Sequence, residues 1–168
     1  TLEVMDGDLY VVLSSCVADI IGDDVTSVVN SFAEQGAPVI QAETGGFKGN
    51  SYRGYELVVE SLLTQYAKAD GDKEKRLVNL WGIPPAFDVF WRGNLQGLRD
   101  LLGKLGLEVN SFFTVEDNLE RISRAGRAAL NIVVSDTIGV EAAQKAQELY
   151  GTPYLSLPLP FGPTATAD

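Results

Sequence analysis

A length of 168 residues is enough for one domain of ordinary size with a substantial hydrophobic core. A hydrophobic content of 45% without an apolar run near the roughly 20 residues that cross a bilayer argues against a membrane span, and a net charge of −10 argues against nucleic acid as a partner. The single cysteine excludes an internal disulfide and favours a reducing, cytoplasmic location, and the absence of histidine excludes Ser-His-Asp and Cys-His catalysis.

Apolar stretches rich in β-branched residues alternate along the chain with amphipathic stretches, which is the pattern of strands followed by helices. In chain order, the pattern predicts strand 9–13, helix 23–35, strand 38–42, helix 51–67, strand 77–81, a helix through 95–105, strand 107–113, helix 115–125, strand 128–134 and helix 136–150. Five such units predict an α/β fold: a doubly wound, mostly parallel five-stranded sheet with helices on both faces, Rossmann-like or flavodoxin-like. We interpret residues 1–168 as one domain.

Ligands of such folds bind outside the carboxyl ends of the strands, so the loops that follow each strand are the candidate sites. Five segments meet this criterion, namely residues 14–16, 43–46, 82–85, Thr114 and 135–136. Aromatic residues surround the third of these loops and could line a cofactor pocket or a subunit contact. We expect them to pack in the core instead, as aromatic side chains near strand ends usually do. This set comprises Trp81, Phe87, Phe90 and Trp91.

Cys16 comes directly after the first predicted strand, where a thiolate could bind a soft metal or attack an electrophile. A buried, inert cysteine is the alternative, because free cysteine packs as a small apolar residue. An iron–sulfur cluster needs about four such ligands, so one thiolate does not hold a cluster. A cluster at Cys16 would require further ligands from elsewhere.

Two other groups of residues allow a functional and a structural interpretation. Residues 45–49 form a glycine-rich turn that could hold an anion with help from Lys48 and Arg53, or could be a tight connection that needs positive φ. Asp23 and Asp24 could bind a metal, but carboxylates before a helix are explained by capping. Nucleotide-binding glycine motifs do not occur.

Four short motifs in order carry a resemblance to a known family. Cys16 is followed closely by Ile-Gly-Asp-Asp at 21–24, strand 38–42 by Gly-Phe-Lys-Gly at 46–49, Asn-Ile-Val at 131–133 by Tyr-Gly-Thr-Pro at 150–153, and Phe-Gly-Pro-Thr stands at 161–164. The chain resembles the middle domain of nitrogenase component 1 type oxidoreductases. The resemblance implies that Cys16 is a ligand of the cluster at the subunit interface, with Ser15 and Gly46 of the same motifs as cofactor-binding neighbours.

The chain also departs from the family pattern. Ser135 stands where the catalytic molybdenum–iron subunit uses a cysteine to hold its cofactor, so Ser135 is a candidate cofactor-binding residue. Its neutral hydroxyl, however, is a poor ligand for iron. Tyr52 and Glu56 stand about where that subunit places a glutamine and a histidine. Dinitrogen reduction is therefore not expected.

By resemblance, the parent protein is an oxidoreductase that passes electrons from an ATP-dependent iron–sulfur reductase through an iron–sulfur cluster to a substrate or metallocofactor. Its expected partners are the other domains of its chain and a homologous subunit. Residues 1–168 are expected to be a piece of that chain, with the next domain starting at about 158–168, and to be inactive and free of iron in isolation. The alternative is a non-enzymatic scaffold or ligand-binding domain of the same fold without a cluster.

Overall fold

The computed structural model describes residues 4–68, 70–112 and 117–167 of the chain. Six strands alternate with helices along these residues. The strands are β1 (Tyr10–Leu13), β2 (Val39–Ala42), β3 (Glu74–Trp81), β4 (Glu108–Asn110), β5 (Ala128–Val133) and β6 (Tyr154–Ser156). The helices are α1 (Cys16–Ile21), α2 (Val25–Glu34), α3 (Ser51–Gln65), α4 (Trp91–Lys104), α5 (Leu119–Ser123), α6 (Val140–Tyr150) and α7 (Gly162–Ala167).

The chain divides into two compact units, Thr1–Gln65 and Tyr66–Asp168, which we call the first unit and the second unit. In the first unit, β1 and β2 pair in parallel, with Tyr10 opposite Val39 and Leu13 opposite Ala42. Helices α2 and α3 both pack against β2. The strand β2 is therefore the centre of the core of this unit, and Ile40 and Ala42 are buried.

The second unit contains a four-stranded parallel sheet in the order β4-β3-β5-β6. Apolar side chains of β3, β4 and β5 form its core together with the inner face of α4, which presents leucines at helical spacing. This core comprises Val78, Leu80, Leu95, Leu98, Val109, Ile132 and Val134. Strands buried in this way read as continuous apolar runs, which is why the sequence pattern located them.

The predicted α/β class with parallel strands is confirmed, and each of the five predicted strands is present. The described strands number six rather than five, and they form two sheets rather than one. The sequence pattern missed β6 because its three residues are all exposed and carry no apolar run. No helix in the described part of the chain is both long and apolar enough to cross a membrane.

Two further differences concern helices. A short helix, α1, begins at Cys16 and lies inside a stretch that the pattern placed in a loop. The predicted helix 115–125 is shorter and begins at Leu119, and it continues as a 3₁₀ turn to Arg127. The predicted strand 107–113 is also shorter, since β4 covers Glu108–Asn110. Residues 113–116 lie outside the described residues, so the predictions that fall on them, Thr114 among them, stay predictions.

Acid is expected to weaken the second unit through Glu74, at the start of β3. Its carboxylate accepts a hydrogen bond from Arg124 at 2.7 Å and lies 3.1 Å from Nε of Arg127. The hydrogen bond from Arg124 lowers the pKa of Glu74 below its ordinary value of 4.5. The unfolded chain therefore takes up a proton at higher pH than the folded chain, so this stabilisation is complete above pH 4.5 and is lost as pH falls toward the folded pKa.

We therefore expect Glu74→Gln to lower the free energy of unfolding at pH 7 and to differ less from the unmodified chain at pH 3. Urea unfolding followed by the fluorescence of Trp81 and Trp91, both in the second unit, measures this. The control is Glu148→Gln, which removes an exposed ion pair with Lys145 and is expected to change little at either pH. A difference for Glu74→Gln that does not shrink in acid would contradict the assignment.

Candidate functional site at the ends of β1 and β2

Cys16 lies where β1 ends and α1 begins. Ser15 precedes the helix as its N-cap, and its hydroxyl oxygen accepts a hydrogen bond from the backbone N–H of Ala18 at 3.5 Å. Gly22 ends the helix in the left-handed conformation, at φ 74°. Cys16 is exposed in this chain, so the alternative of a buried cysteine is wrong.

The loop after β2 approaches the thiol from the other side. The backbone N–H of Gly46 donates a hydrogen bond to Sγ of Cys16 at 3.0 Å. A Cβ at Gly46 would lie only 3.0 Å from the same sulfur, and a Cβ at Gly45 would lie 1.7 Å from a carboxylate oxygen of Asp19. A Cβ at either position would press on the side chain of Asp19 or Cys16, so the loop passes close to α1.

Hydrogen bonds between Ser14 and Thr44 join the loops that follow the two strands. The backbone N–H of Thr44 donates to the hydroxyl oxygen of Ser14 at 3.2 Å, and the hydroxyl of Thr44 donates to the carbonyl of Ser14 at 2.9 Å. The N–H of Ser14 donates to the carbonyl of Ala42, which continues the β1–β2 ladder by one residue. Ser14 is buried, so these bonds hold Cys16 and Gly46 in register.

The structure does not favour an anion site at the glycine-rich turn. Lys48 forms an ion pair with Glu43, and its hydrogen bond lowers the pKa of that carboxyl. Arg53 binds Glu60 at 2.7 Å. Both predicted cations are therefore engaged by carboxylates. Of the turn's three glycines, only Gly49 has positive φ, at 150°.

Asp24 caps α2, as predicted. Its carboxylate accepts a hydrogen bond from the N–H of Ser27 at 2.9 Å, and hydrogen bonds with Ser27 lower its pKa. Asp19, Asp23 and Asp24 line a cavity of about 330 Å³ together with Glu43 and Lys48. Among the described residues, no group of three or more His, Cys, Asp or Glu side chains is placed to hold a metal ion.

Ser135 belongs to the second unit, whereas Ser15, Cys16 and Gly46 meet in the first. Its hydroxyl oxygen accepts hydrogen bonds from the N–H groups of Thr137 and Ile138 at 3.3 and 3.2 Å. It follows β5 and so lies at the strand end where the pattern placed it. The hydroxyl shapes the turn into α6, which is a structural role that sequence reasoning did not predict.

The aromatic residues around the loop after β3 differ from the prediction in part. Trp81 is buried and packs edge-on against Phe112, with ring centroids 5.0 Å apart. Phe87 and Phe90 are exposed, so core packing is wrong for both. The prediction used only the position of these residues near a strand end, and that position does not separate the end of a strand from the exposed loop beyond it.

Sequence reasoning also missed a row of buried asparagines in the second unit. Asn79 on β3 stands opposite Asn110 on β4 and Asn131 on β5. Their amides bond to one another at 2.9 Å across the sheet. The sequence did contain a signal for this row, because each of the three otherwise apolar strands carries one asparagine. Buried amides need hydrogen-bond partners, so these asparagines could have been expected to pair with one another.

The Cys16 thiol and its surroundings are suited to provide one of the several ligands of an iron–sulfur cluster. A thiolate is the ligand that iron–sulfur clusters use, and backbone N–H groups that donate to the sulfur tune their potential. The exposed thiol of Cys16 with the N–H of Gly46 has both features. The described residues supply no complete ligand set, so the remaining ligands would come from elsewhere.

Comparisons with known proteins identify the family of the chain. The family model "Nitrogenase component 1 type Oxidoreductase" matches residues 6–168. The chain is 34% identical over 145 residues to the nitrogenase iron-molybdenum cofactor biosynthesis protein NifE of Nostoc sp. strain PCC 7120, covering 86% of the chain and 30% of that protein. It is 30% identical to the same protein of Rhodobacter capsulatus, covering 85% and 30%.

Solved structures share the fold. The chain matches "Nitrogenase Cp1 at pH 6.5" with a TM-score of 0.79 at 16% identity, covering 99% of this chain and 40% of that one. A second structure, "Nitrogenase Cp1 at pH 5", matches with a TM-score of 0.67 at 24% identity, covering 89% and 30%. The chain spans about 30% of the length of the curated relatives named above. From its match over residues 6–168, this chain belongs to the nitrogenase component 1 type oxidoreductase family.

Proposed function

We propose that residues 1–168 are a segment of a longer nitrogenase-like subunit, in which Cys16 is one thiolate ligand of an iron–sulfur cluster. The observation that carries the proposal is the exposed Sγ of Cys16 at the end of β1, with the N–H of Gly46 donating to it at 3.0 Å. Ser15 orients α1 and Gly45 leaves room for the loop, so both support the position of the sulfur. When bound, the cluster would supply electron transfer.

Within the family, we propose that the parent protein takes part in metallocofactor assembly. The relatives named above are cofactor biosynthesis proteins, which supports this choice. Ser135 offers a neutral hydroxyl that already accepts two N–H groups, and a hydroxyl is a poor ligand for iron. The proposed activity is electron transfer through the cluster to a substrate or metallocofactor, without reduction of dinitrogen.

The proposal includes partners and a location. The partners are the other domains of the parent chain, a homologous subunit and an ATP-dependent iron–sulfur reductase, and by itself the segment is expected to be inactive and without iron. Nucleic acid and membranes are not expected, since the net charge of −10 repels phosphate groups. A cytoplasmic location is proposed because a lone, exposed thiol is suited to a reducing compartment.

Replacing Cys16 tests the cluster directly. We expect Cys16→Ala in the full-length parent, purified without oxygen, to lose most of the iron and sulfide that the unmodified parent carries, because one thiolate ligand is removed. Iron, sulfide and visible absorption are measured, and circular dichroism verifies folding. The matched control is Val17→Ala, which trims the next exposed side chain on α1 and is expected to retain iron.

Equal iron and sulfide in the Cys16→Ala and unmodified parents would contradict the ligand role. That result would favour the alternative, a scaffold or ligand-binding domain of the same fold without a cluster at this position. A stoichiometric brown chromophore on the isolated 168-residue chain would contradict the proposal that ligands from outside this segment are needed.

A further inference from the structure

Asp19 follows Cys16 by one turn on α1 and lies in the first turn of that helix. Residues three apart in a helix lie on the same face, with their Cβ atoms about 5–6 Å apart. Both side chains also meet the loop after β2. The thiol accepts a hydrogen bond from the N–H of Gly46 at 3.0 Å, and a Cβ at Gly45 would lie 1.7 Å from Oδ2 of Asp19. The carboxylate and the thiol are therefore neighbours at the end of β1.

The charge of Asp19 is not compensated within the described residues. Its side chain accepts no hydrogen bond from them and forms no ion pair with them, although its carboxylate lies against Gly45. The nearby carboxylates of the same cavity differ in this respect, because Glu43 forms an ion pair with Lys48 and Asp24 caps α2. Asp19 is therefore a carboxylate beside the thiol that keeps its full negative charge.

The rest of the first unit adds to this negative charge. The sequence of the unit contains ten acidic residues and only two basic ones, Lys48 and Arg53. Both of these cations bind carboxylates other than Asp19, since Lys48 pairs with Glu43 and Arg53 with Glu60. The first unit therefore has no basic side chain left to neutralise the carboxylate next to Cys16.

We propose that the carboxylate of Asp19 lowers the reduction potential of the iron–sulfur cluster at Cys16. The inference rests on the proposed function, in which Cys16 is a ligand of that cluster. Reduction adds one electron from the ATP-dependent iron–sulfur reductase and so adds one negative charge to the site. Asp19 opposes this added charge through space, because like charges repel and the net charge around a cluster is one of the factors that set its potential. As a positioning residue, Asp19 does not bind iron but makes the reduced site a stronger electron donor.

Alkylation of the 168-residue chain measures the charge at the sulfur without iron. Cys16 is the only cysteine, and its thiolate attacks both iodoacetate, which is an anion, and iodoacetamide, which is neutral. The ratio of the two rates reports the electrostatic potential at the sulfur, because the thiolate fraction is the same for both reagents. We expect Asp19→Asn to raise the iodoacetate-to-iodoacetamide ratio about twofold at low ionic strength, as a unit charge at roughly 6 Å in water implies, and to have little effect in 1 M salt.

Two control variants separate the charge of Asp19 from a structural role. Asp19→Glu keeps the charge and is expected to leave the rate ratio near that of the unmodified chain. Glu34→Gln removes an equal charge at the exposed end of α2 and is expected to leave the ratio unchanged. If Asp19 only stabilised α1 through the helix dipole, Asp19→Asn would lower stability without changing the ratio. An unchanged ratio in Asp19→Asn would therefore overturn the proposal.

A redox titration of the full-length parent, purified without oxygen, completes the test. We expect Asp19→Asn to keep the iron and sulfide of the unmodified parent and to shift the midpoint potential to a more positive value, measured by electron paramagnetic resonance. An unchanged midpoint at full iron content would overturn the inference. An iron loss equal to that of Cys16→Ala would also overturn it, because Asp19 would then be a ligand. Failure of the proposed function is seen separately, as iron that is retained by Cys16→Ala.

Discussion

Replacing Asn131 with alanine is expected to destabilise the second unit by about 3 kcal/mol, because it leaves buried polar groups without partners. Asn131 is fully buried in β5. Its side-chain oxygen accepts from the amide of Asn79 and from the indole N–H of Trp81, both at 2.9 Å, and its amide donates to the carbonyl of Thr152 at 3.1 Å. Trp81 and Thr152 are also buried, so water does not readily replace these bonds.

Urea unfolding followed by tryptophan fluorescence measures this loss, since Trp81 is itself part of the network. The matched control is Gln147→Ala on the exposed surface of α6 in the same unit, which is expected to be neutral or slightly stabilising because alanine favours helix. A change below about 1 kcal/mol for Asn131→Ala would show that the network contributes little, since a single net hydrogen bond is worth about that much.

Replacing Gly139 with alanine is expected to cost about 2–5 kcal/mol for two independent reasons. Gly139 precedes α6 at φ 86°, a left-handed conformation that residues with a Cβ disfavour. The added Cβ would also lie 2.7 Å from the backbone nitrogen of Gly82 and from Cβ of Trp81. The start of α6 would therefore have to move away from the end of β3, next to the loop that holds Ser135.

Gly97→Ala is the matched control for Gly139→Ala. Gly97 is an exposed residue within α4, and a Cβ there meets no atom within 4 Å. Alanine is expected to stabilise the second unit at this position by about 0.5–1 kcal/mol, because glycine loses more backbone freedom in a helix. The same urea titrations give the free energy of unfolding of both variants. The prediction is confirmed if Gly139→Ala lowers this free energy and Gly97→Ala raises it, and it is contradicted if both change it in the same direction.

The candidate site is predictable in part from the sequence. The rule that ligands bind at the carboxyl ends of parallel strands selects the loops of Cys16 and Gly46 from the strand pattern alone. Their contact is not predictable in this way, because Gly46 follows Cys16 by 30 residues and reaches it through a turn whose path depends on the bonds between Ser14 and Thr44. Ser135 illustrates the limit, since its position was right but its bonds to the next turn were not expected.

The sequence by itself determined the α/β class, the parallel strands and the family. Strand and helix periodicity is a local property, and the four ordered motifs, among them the one at Cys16, are also read directly along the chain. Only the tertiary structure decided that the described strands form two sheets, that Asn79, Asn110 and Asn131 share one register, and that the side-chain amide of Gln65 binds the backbone of Gln41. The physical reason is that register, sheet order and close approach arise from packing between residues far apart in sequence, which local periodicity does not record.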